Sequence, residues 1–196
     1  ALRRIGERLA AFRAFAPRLR GTPHGLVHGD INHSNVLADP ADARRVCAVL
    51  DFEFCTRDVL AMEPAVIVAG LLDAASAGSE VGGGKDEPER PERLEMPGGL
   101  SGSGEALAHD GVRASIRPFL AGYGSVRRFS TAEADAIPAL IRLRKLDVFV
   151  HFLGRYLDGV DDASRLRVQI RSADDGLRRL DACEDVIRLA VYEYLT

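Results

Sequence analysis

Leu26-Val27-His28-Gly29-Asp30-Ile31-Asn32-His33-Ser34-Asn35-Val36-Leu37 decides how this 196-residue chain is read. Two apolar pairs, Leu26-Val27 and Val36-Leu37, flank eight residues of which all but Ile31 are polar or small. A second polar cluster, Asp51-Phe52-Glu53, follows the apolar run Val46-Cys47-Ala48-Val49-Leu50. A carboxylate beside a core strand is costly unless it is paired, hydrogen-bonded or bound to metal. The Asp39-Pro40-Ala41-Asp42 turn joins the two segments, so a small hairpin-like β unit frames Gly29 to Asn35 and delivers Asp51 at the end of a compact buried strand.

Helices are expected on either side of that unit. Leu2, Ile5, Leu9, Phe12, Ala16 and Leu19 step by three and four, which predicts an amphipathic helix ended by Gly21-Thr22-Pro23. Met62 to Leu72 is apolar nearly all round, as in a helix enclosed by others. Further on, Val112, Ile116, Phe119, Leu120 and Tyr123 mark one helix, and Ser130-x-x-Glu133 is a capping-box start for a long one. Leu166, Ile170, Ala173, Leu177 and Leu180 predict another helix, followed by a final one with Val186, Ile187 and Val191. The fold class expected is α+β and mainly helical.

Residues 76–104 differ from the rest. They hold 8 of the 19 glycines, 3 of the 9 prolines, six acidic and three basic residues. Such a stretch buries too little to offset its ordering entropy, so it is expected to be a flexible insertion between 1–75 and 105–196. Gly82-Gly83-Gly84-Lys85 is not a phosphate loop, because Ser79 and Asp86 stand where that motif needs Gly and Ser or Thr.

Composition narrows the function classes. The net charge of -3 falls entirely on residues 76–104, so no global attraction to nucleic acid or membrane is expected. No apolar run approaches the roughly 20 residues of a membrane span, and no apolar core follows Arg3, Arg4 and Arg8 as a secretory signal requires. Three cysteines without C-x-x-C spacing argue against a disulfide framework or structural zinc and favour a reducing, cytoplasmic setting.

The spacing H-x-D-x-x-x-x-N followed by D-F-x matches a phosphoryl-transfer constellation. Magnesium takes hard oxygen ligands and keeps waters and phosphate oxygens, so one carboxylate and one amide carbonyl suffice from the protein. The attacking hydroxyl needs a base within hydrogen-bonding reach.

On these residues the chain resembles the aminoglycoside and choline kinase-like phosphotransferases. Leu26 to Asp30, Asn35-Val36-Leu37 and Val49 to Phe54 look like their catalytic and metal-binding segments, with His-Gly-Asp in place of the protein kinases' His-Arg-Asp. Asp58-Val59-Leu60-Ala61-Met62-Glu63 is similar to their D-P-x-x-x-D, with Val59 for Pro and Glu63 for Asp. The helical remainder, including Phe119 to Tyr123 and Ala139 to Arg144, resembles the homoserine kinase type II-like members most.

The resemblance implies a protein kinase-like fold, of which the chain covers the carboxy-terminal lobe. It implies Asp30 as catalytic base with His28 holding the loop, Asn35 and Asp51 as magnesium ligands, and Asp58 and Glu63 as braces. Glu53 stands where it would touch metal or substrate. The activity implied is transfer of the γ-phosphoryl of ATP to a hydroxyl of a small molecule such as homoserine, choline or an aminoglycoside, with Mg2+. Family members carry a β-rich nucleotide-gripping lobe ahead of this region, whereas 27 residues precede His28 and the only lysines are Lys85 and Lys145. Two other classes are weighed: a non-catalytic kinase-like interaction module, and a metal-dependent hydrolase using His28, Asp30, Asn32 and His33. Arg142, Arg144, Arg155 and Tyr156 are candidate pocket residues for a carboxylate-bearing acceptor.

Overall fold

The computed structural model describes residues 1–80 and 104–196. Chain order is α1 (Leu2–Phe15), a 3-10 turn (Ala16–Gly21), β1 (His24–Val27), β2 (Val36–Asp39), β3 (Asp42–Val49), β4 (Thr56–Val59), α2 (Met62–Glu80), α3 (Gly104–Val126), α4 (Thr131–Leu157) and α5 (Ala163–Leu195). The class is α+β and mostly helical. No described helix is long and apolar enough to cross a membrane. Residues 76–80, read from composition as the start of an insertion, continue α2. Residues 81–103, with Gly82 to Lys85, lie outside the described residues.

Pro17 explains why the first helix tightens into 3-10 form where the apolar spacing alone predicts one continuous helix. It lies at the start of the 3-10 segment, where a missing N–H costs least. The capping box forms as its spacing predicts: Ser130 Oγ accepts from the Glu133 N–H at 3.3 Å, and the Ser130 N–H donates to Glu133 Oε2 at 3.0 Å. Glu133 is only 3% exposed, and Arg127 donates to its other oxygen at 2.8 Å.

The last two expected helices are one. α5 runs unbroken for 33 residues because no proline interrupts it. Its one glycine, Gly176, gives way to a neighbour instead of ending the helix: an added Cβ there would meet Lys145 Cδ at 3.4 Å.

Two core clusters hold the helices together. Ile116 and Leu120 of α3, Ile137, Leu140 and Ile141 of α4, and Leu180, Ile187 and Val191 of α5 form the larger, with Ala65, Val68 and Ala69 of α2. Ile5 of α1 joins Leu146, Phe149, Ala173 and Leu177 in the smaller. Near its end α3 touches α5 backbone to backbone, since a Cβ on Gly124 would overlap the Tyr194 carbonyl oxygen. The Phe129 N–H donates to the next carbonyl, Leu195 O, at 2.7 Å.

The β unit consists of two separate two-stranded antiparallel sheets. β1 pairs with β4, His24 opposite Val59 and Val27 opposite Thr56, and the Leu60 N–H extends the ladder to Pro23 O at 2.9 Å. β2 pairs with β3 as a hairpin, Val36 opposite Val49. Asp39 Oδ1 accepts the Ala41 N–H at 2.9 Å, which closes the Asp39 to Asp42 turn.

One expectation is overturned here. The run Val46 to Leu50 is not a buried strand: Val46 is 58%, Val49 38% and Leu50 42% exposed. A hairpin of two strands buries little unless a further layer packs on it, and no described helix covers this one. Apolar sequence marked the strand correctly but not its surroundings.

Candidate active site

The loop between β1 and β2 is built from its own side chains. The His28 backbone N–H donates to Glu63 Oε2 at 2.6 Å, which ties the end of β1 to the first turn of α2. The buried His28 ring then spans to the second polar cluster, Nε2 lying 2.8 Å from Leu50 O. Its Nδ1 lies 3.3 Å from the Asp30 N–H, so the tautomer with Nε2 protonated serves both contacts. The ring also packs against Phe52, centroids 4.7 Å apart. Gly29 is required between them. It has φ +79°, and an added Cβ would stand 3.0 Å from the Phe54 carbonyl oxygen.

Asp30 sits half-buried at the centre. Asn35 Nδ2 donates to its backbone oxygen at 2.9 Å and to Oδ2 at 3.0 Å; Asn32 Nδ2 donates to the same two oxygens at 3.0 and 3.3 Å. Its other carboxylate oxygen, Oδ1, is paired with Arg144 Nη2 from α4. The two oxygens therefore have separate holders, and the carboxylate plane is fixed from both sides.

Asn35 and Asp51 flank the base of the β2–β3 hairpin, Asn35 just before β2 and Asp51 two residues after β3. The Leu50 N–H donates to Asn35 O at 2.9 Å, which places Asp51 one residue beyond a direct contact of Asn35. Asn35 is 8% exposed, its Nδ2 donates to Asp30, and its Oδ1 accepts no hydrogen bond among the described residues. Asp51 has φ +63°, an uncommon conformation for a residue other than glycine, and its exposed carboxylate has no partner there either. An amide oxygen and a carboxylate are the residue types a hard divalent ion takes as ligands.

The remaining sequence candidates divide. Glu63 reaches the loop through His28, and its buried Oε1 has no hydrogen-bond partner among the described residues. Asp58 stays on β4, where its Oδ1 accepts the Val59 N–H at 2.7 Å, and no hydrogen bond joins its side chain to the loop among the described residues. Glu53 is exposed beside Asp51. His33 is exposed, and Ser34 donates to Asn32 Oδ1 at 2.5 Å.

A transition-metal site of His28, Asp30, Asn32 and His33 is not formed. Both His28 nitrogens are engaged, and no group of three or more His, Cys, Asp or Glu side chains among the described residues is placed to hold a metal ion.

Of the arginines, Arg142 pairs with Asp181 and Glu184; burial opposes its charge, but these carboxylates hold its pKa above the usual value. Arg155 binds Asp161 at 2.7 Å in the turn that follows α4. Only Arg144 faces the loop. Its position 114 residues from Asp30 leaves no local signal of the pairing, and neither does the role of Asn32 in closing the loop on Asp30.

Residues 1–95 match the family model described as the phosphotransferase enzyme family, APH. No curated protein and no solved structure matches the chain. The matched stretch contains every residue of the loop and of the Asn35–Asp51 pair but stops short of Arg144. Through its first half, then, the chain is similar to that phosphotransferase family.

Proposed function

We propose that the chain is the catalytic lobe of an ATP-dependent phosphotransferase that acts on a hydroxyl of a small molecule. The observation that carries this reading is the contact of Asp30 with Asn35 in the loop between β1 and β2. The family match over the same residues supports it.

In this reading the Asp30 carboxylate accepts the proton of the attacking hydroxyl. Asn32 and Asn35 hold it in place by donating to Oδ2, and Arg144 does so at Oδ1. Asn35 Oδ1 and Asp51 would hold a magnesium ion, which when bound neutralises charge on the nucleotide phosphates. His28 fixes the distance between the two loops through Leu50 O, while Glu63 anchors His28 to α2. Homoserine-, choline- and aminoglycoside-like alcohols are the acceptor classes.

The test is Asp30→Asn in a form extended upstream by a nucleotide-binding lobe. Loss of general-base help is expected to lower turnover by about 10²- to 10⁴-fold with nucleotide binding unchanged. Unaltered turnover removes Asp30 from the chemistry.

A non-catalytic interaction module takes its support from the exposed Leu26, Phe52 and Phe54, at 76%, 60% and 42%. Such a module has no need of a fixed Asp30 carboxylate, and for that reason the enzymatic reading is preferred.

A further inference from the structure

The two oxygens of Asp30 differ in what they can still accept. A carboxylate has about four acceptor sites, two on each oxygen. Oδ2 takes Asn32 and Asn35, whereas Oδ1 takes Arg144 alone among the described residues. A hydroxyl that gives its proton to Asp30 therefore approaches Oδ1, next to Arg144 Nη2. General-base transfer needs the hydroxyl oxygen about 2.6–3.2 Å from Oδ1, and the phosphorus it attacks stands roughly a further 3–3.5 Å away. A guanidinium already seated on Oδ1 then has the phosphoryl oxygens within its span.

Positive charge is what the loop does not supply. Residues 28–35 include no arginine or lysine, both His28 nitrogens are engaged, and His33 is exposed. On α4, Arg142, Lys145 and Arg155 are committed to acidic partners away from the loop. Arg144 alone is directed at it, and its Nη1 makes only a 3.4 Å contact with Asp147, whose side chain is 60% exposed. The Arg144 side chain is 18% exposed, so its charge is screened less than that of a surface arginine.

We infer that Arg144 is a catalytic residue of the transfer, holding Asp30 through Nη2 while Nη1 binds an oxygen of the phosphoryl group in flight. This deepens the phosphotransferase reading and rests on it. In that step the hydroxyl oxygen forms a bond to phosphorus and its proton passes to Asp30 Oδ1. The bond from phosphorus to the bridging oxygen breaks, and its electron pair leaves on the nucleoside diphosphate. The phosphoryl oxygens carry negative charge throughout, and a cation fixed beside them in advance opposes it without rearranging. The planar fork of arginine suits both tasks at once, since its two terminal nitrogens reach separate oxygens. Lysine, a single point charge, cannot do both.

The experiment titrates this chain with inorganic phosphate in magnesium chloride buffer and follows binding by phosphorus NMR. Saturable binding is expected, weakened about tenfold or more in Arg144→Gln, the range of a charge-assisted hydrogen bond. Asp30→Asn removes a like charge and releases Arg144, so it should tighten phosphate, and the gain should vanish in the Asp30→Asn, Arg144→Gln double variant. No saturable binding, or binding that Arg144→Gln leaves unchanged, overturns the inference. Where Arg144→Gln fails to fold, Asp30→Asn still decides: phosphate held no more tightly than by the parent chain overturns it as well. In the upstream-extended form Arg144→Gln should lower kcat by about 10²- to 10³-fold with the acceptor KM little changed, and Arg144→Lys should recover part of the loss. A raised acceptor KM at unchanged kcat assigns Arg144 to the acceptor instead and overturns it. Turnover lost in Asp30→Asn but kept in Arg144→Gln sinks this inference alone. Turnover unaltered by Asp30→Asn sinks the phosphotransferase reading and this inference with it.

Discussion

The helical bundle of this chain buries a larger share of its apolar residues than the β unit does, Val27 and Val59 being the buried exceptions in the strands. In α3, α4 and α5, Ile116, Leu120, Ile137, Leu177 and Ile187 are each 0% exposed. In and beside β1 to β4, Leu26, Val46, Phe52 and Leu37 are 76%, 58%, 60% and 46% exposed. The bundle derives its order from area removed from water. The loop and the polar cluster after β3 depend instead on directed contacts: His28 to Leu50, Asn35 to Asp30, Arg144 to Asp30. Stability is therefore concentrated in the bundle and the proposed chemistry in the β unit, and the two are fastened by Glu63 from α2 and Arg144 from α4.

Substitutions can break that contrast or sharpen it. The largest effect is expected in the core: Leu140→Ala removes a side chain 1% exposed from the main cluster and should cost about 2–5 kcal/mol in urea unfolding. A cost near zero would mean that the bundle is loosely packed and the contrast false. Next comes Glu133→Ala. It deletes the carboxylate half of the capping box and strands Arg127, for roughly 1–3 kcal/mol by the same measurement.

A smaller, pH-dependent effect belongs to Asp174. The Arg178 side chain beside it holds its carboxyl below the usual value despite opposing burial, and Arg4 adds to this. A carboxylate whose folded pKa lies below its unfolded one stabilises fully above the ordinary Asp range and loses that stabilisation as pH falls through the folded value. Melting temperatures of the parent chain and Asp174→Asn should thus differ at neutral pH and converge in acid. A gap that persists at the lowest pH would assign it to packing.

The smallest effect is expected at Leu26→Ser, within about 0.5 kcal/mol, since the side chain lies mostly in solvent. A large loss would show that the face is covered in solution.

How much of this was legible beforehand follows from the range of each signal. The loop from His28 to Asn35 was readable because its residues are contiguous and their types are set by what they contact. The capping box was equally local. The pairing of β1 with β4 was not, since Thr56-Arg57-Asp58-Val59 shows no apolar alternation, and its register comes from a partner some thirty residues earlier. The joining of two expected helices into α5 rests on the absence of any strong break, a weak signal beside a visible stripe. The Arg144–Asp30 pair crosses 114 residues, so only the packing of α4 against the rest creates it.

The crossing at Gly124 turns the last helical turn of α5 into a keystone. With Tyr194 O seated where a side chain would stand and Leu195 O receiving the Phe129 N–H, the corner between α3 and α4 is clamped by two successive carbonyls. Cutting the chain just before Tyr194 would unlatch that corner far from Asp30, and damage there would reach Arg144 only through the tilt of α4.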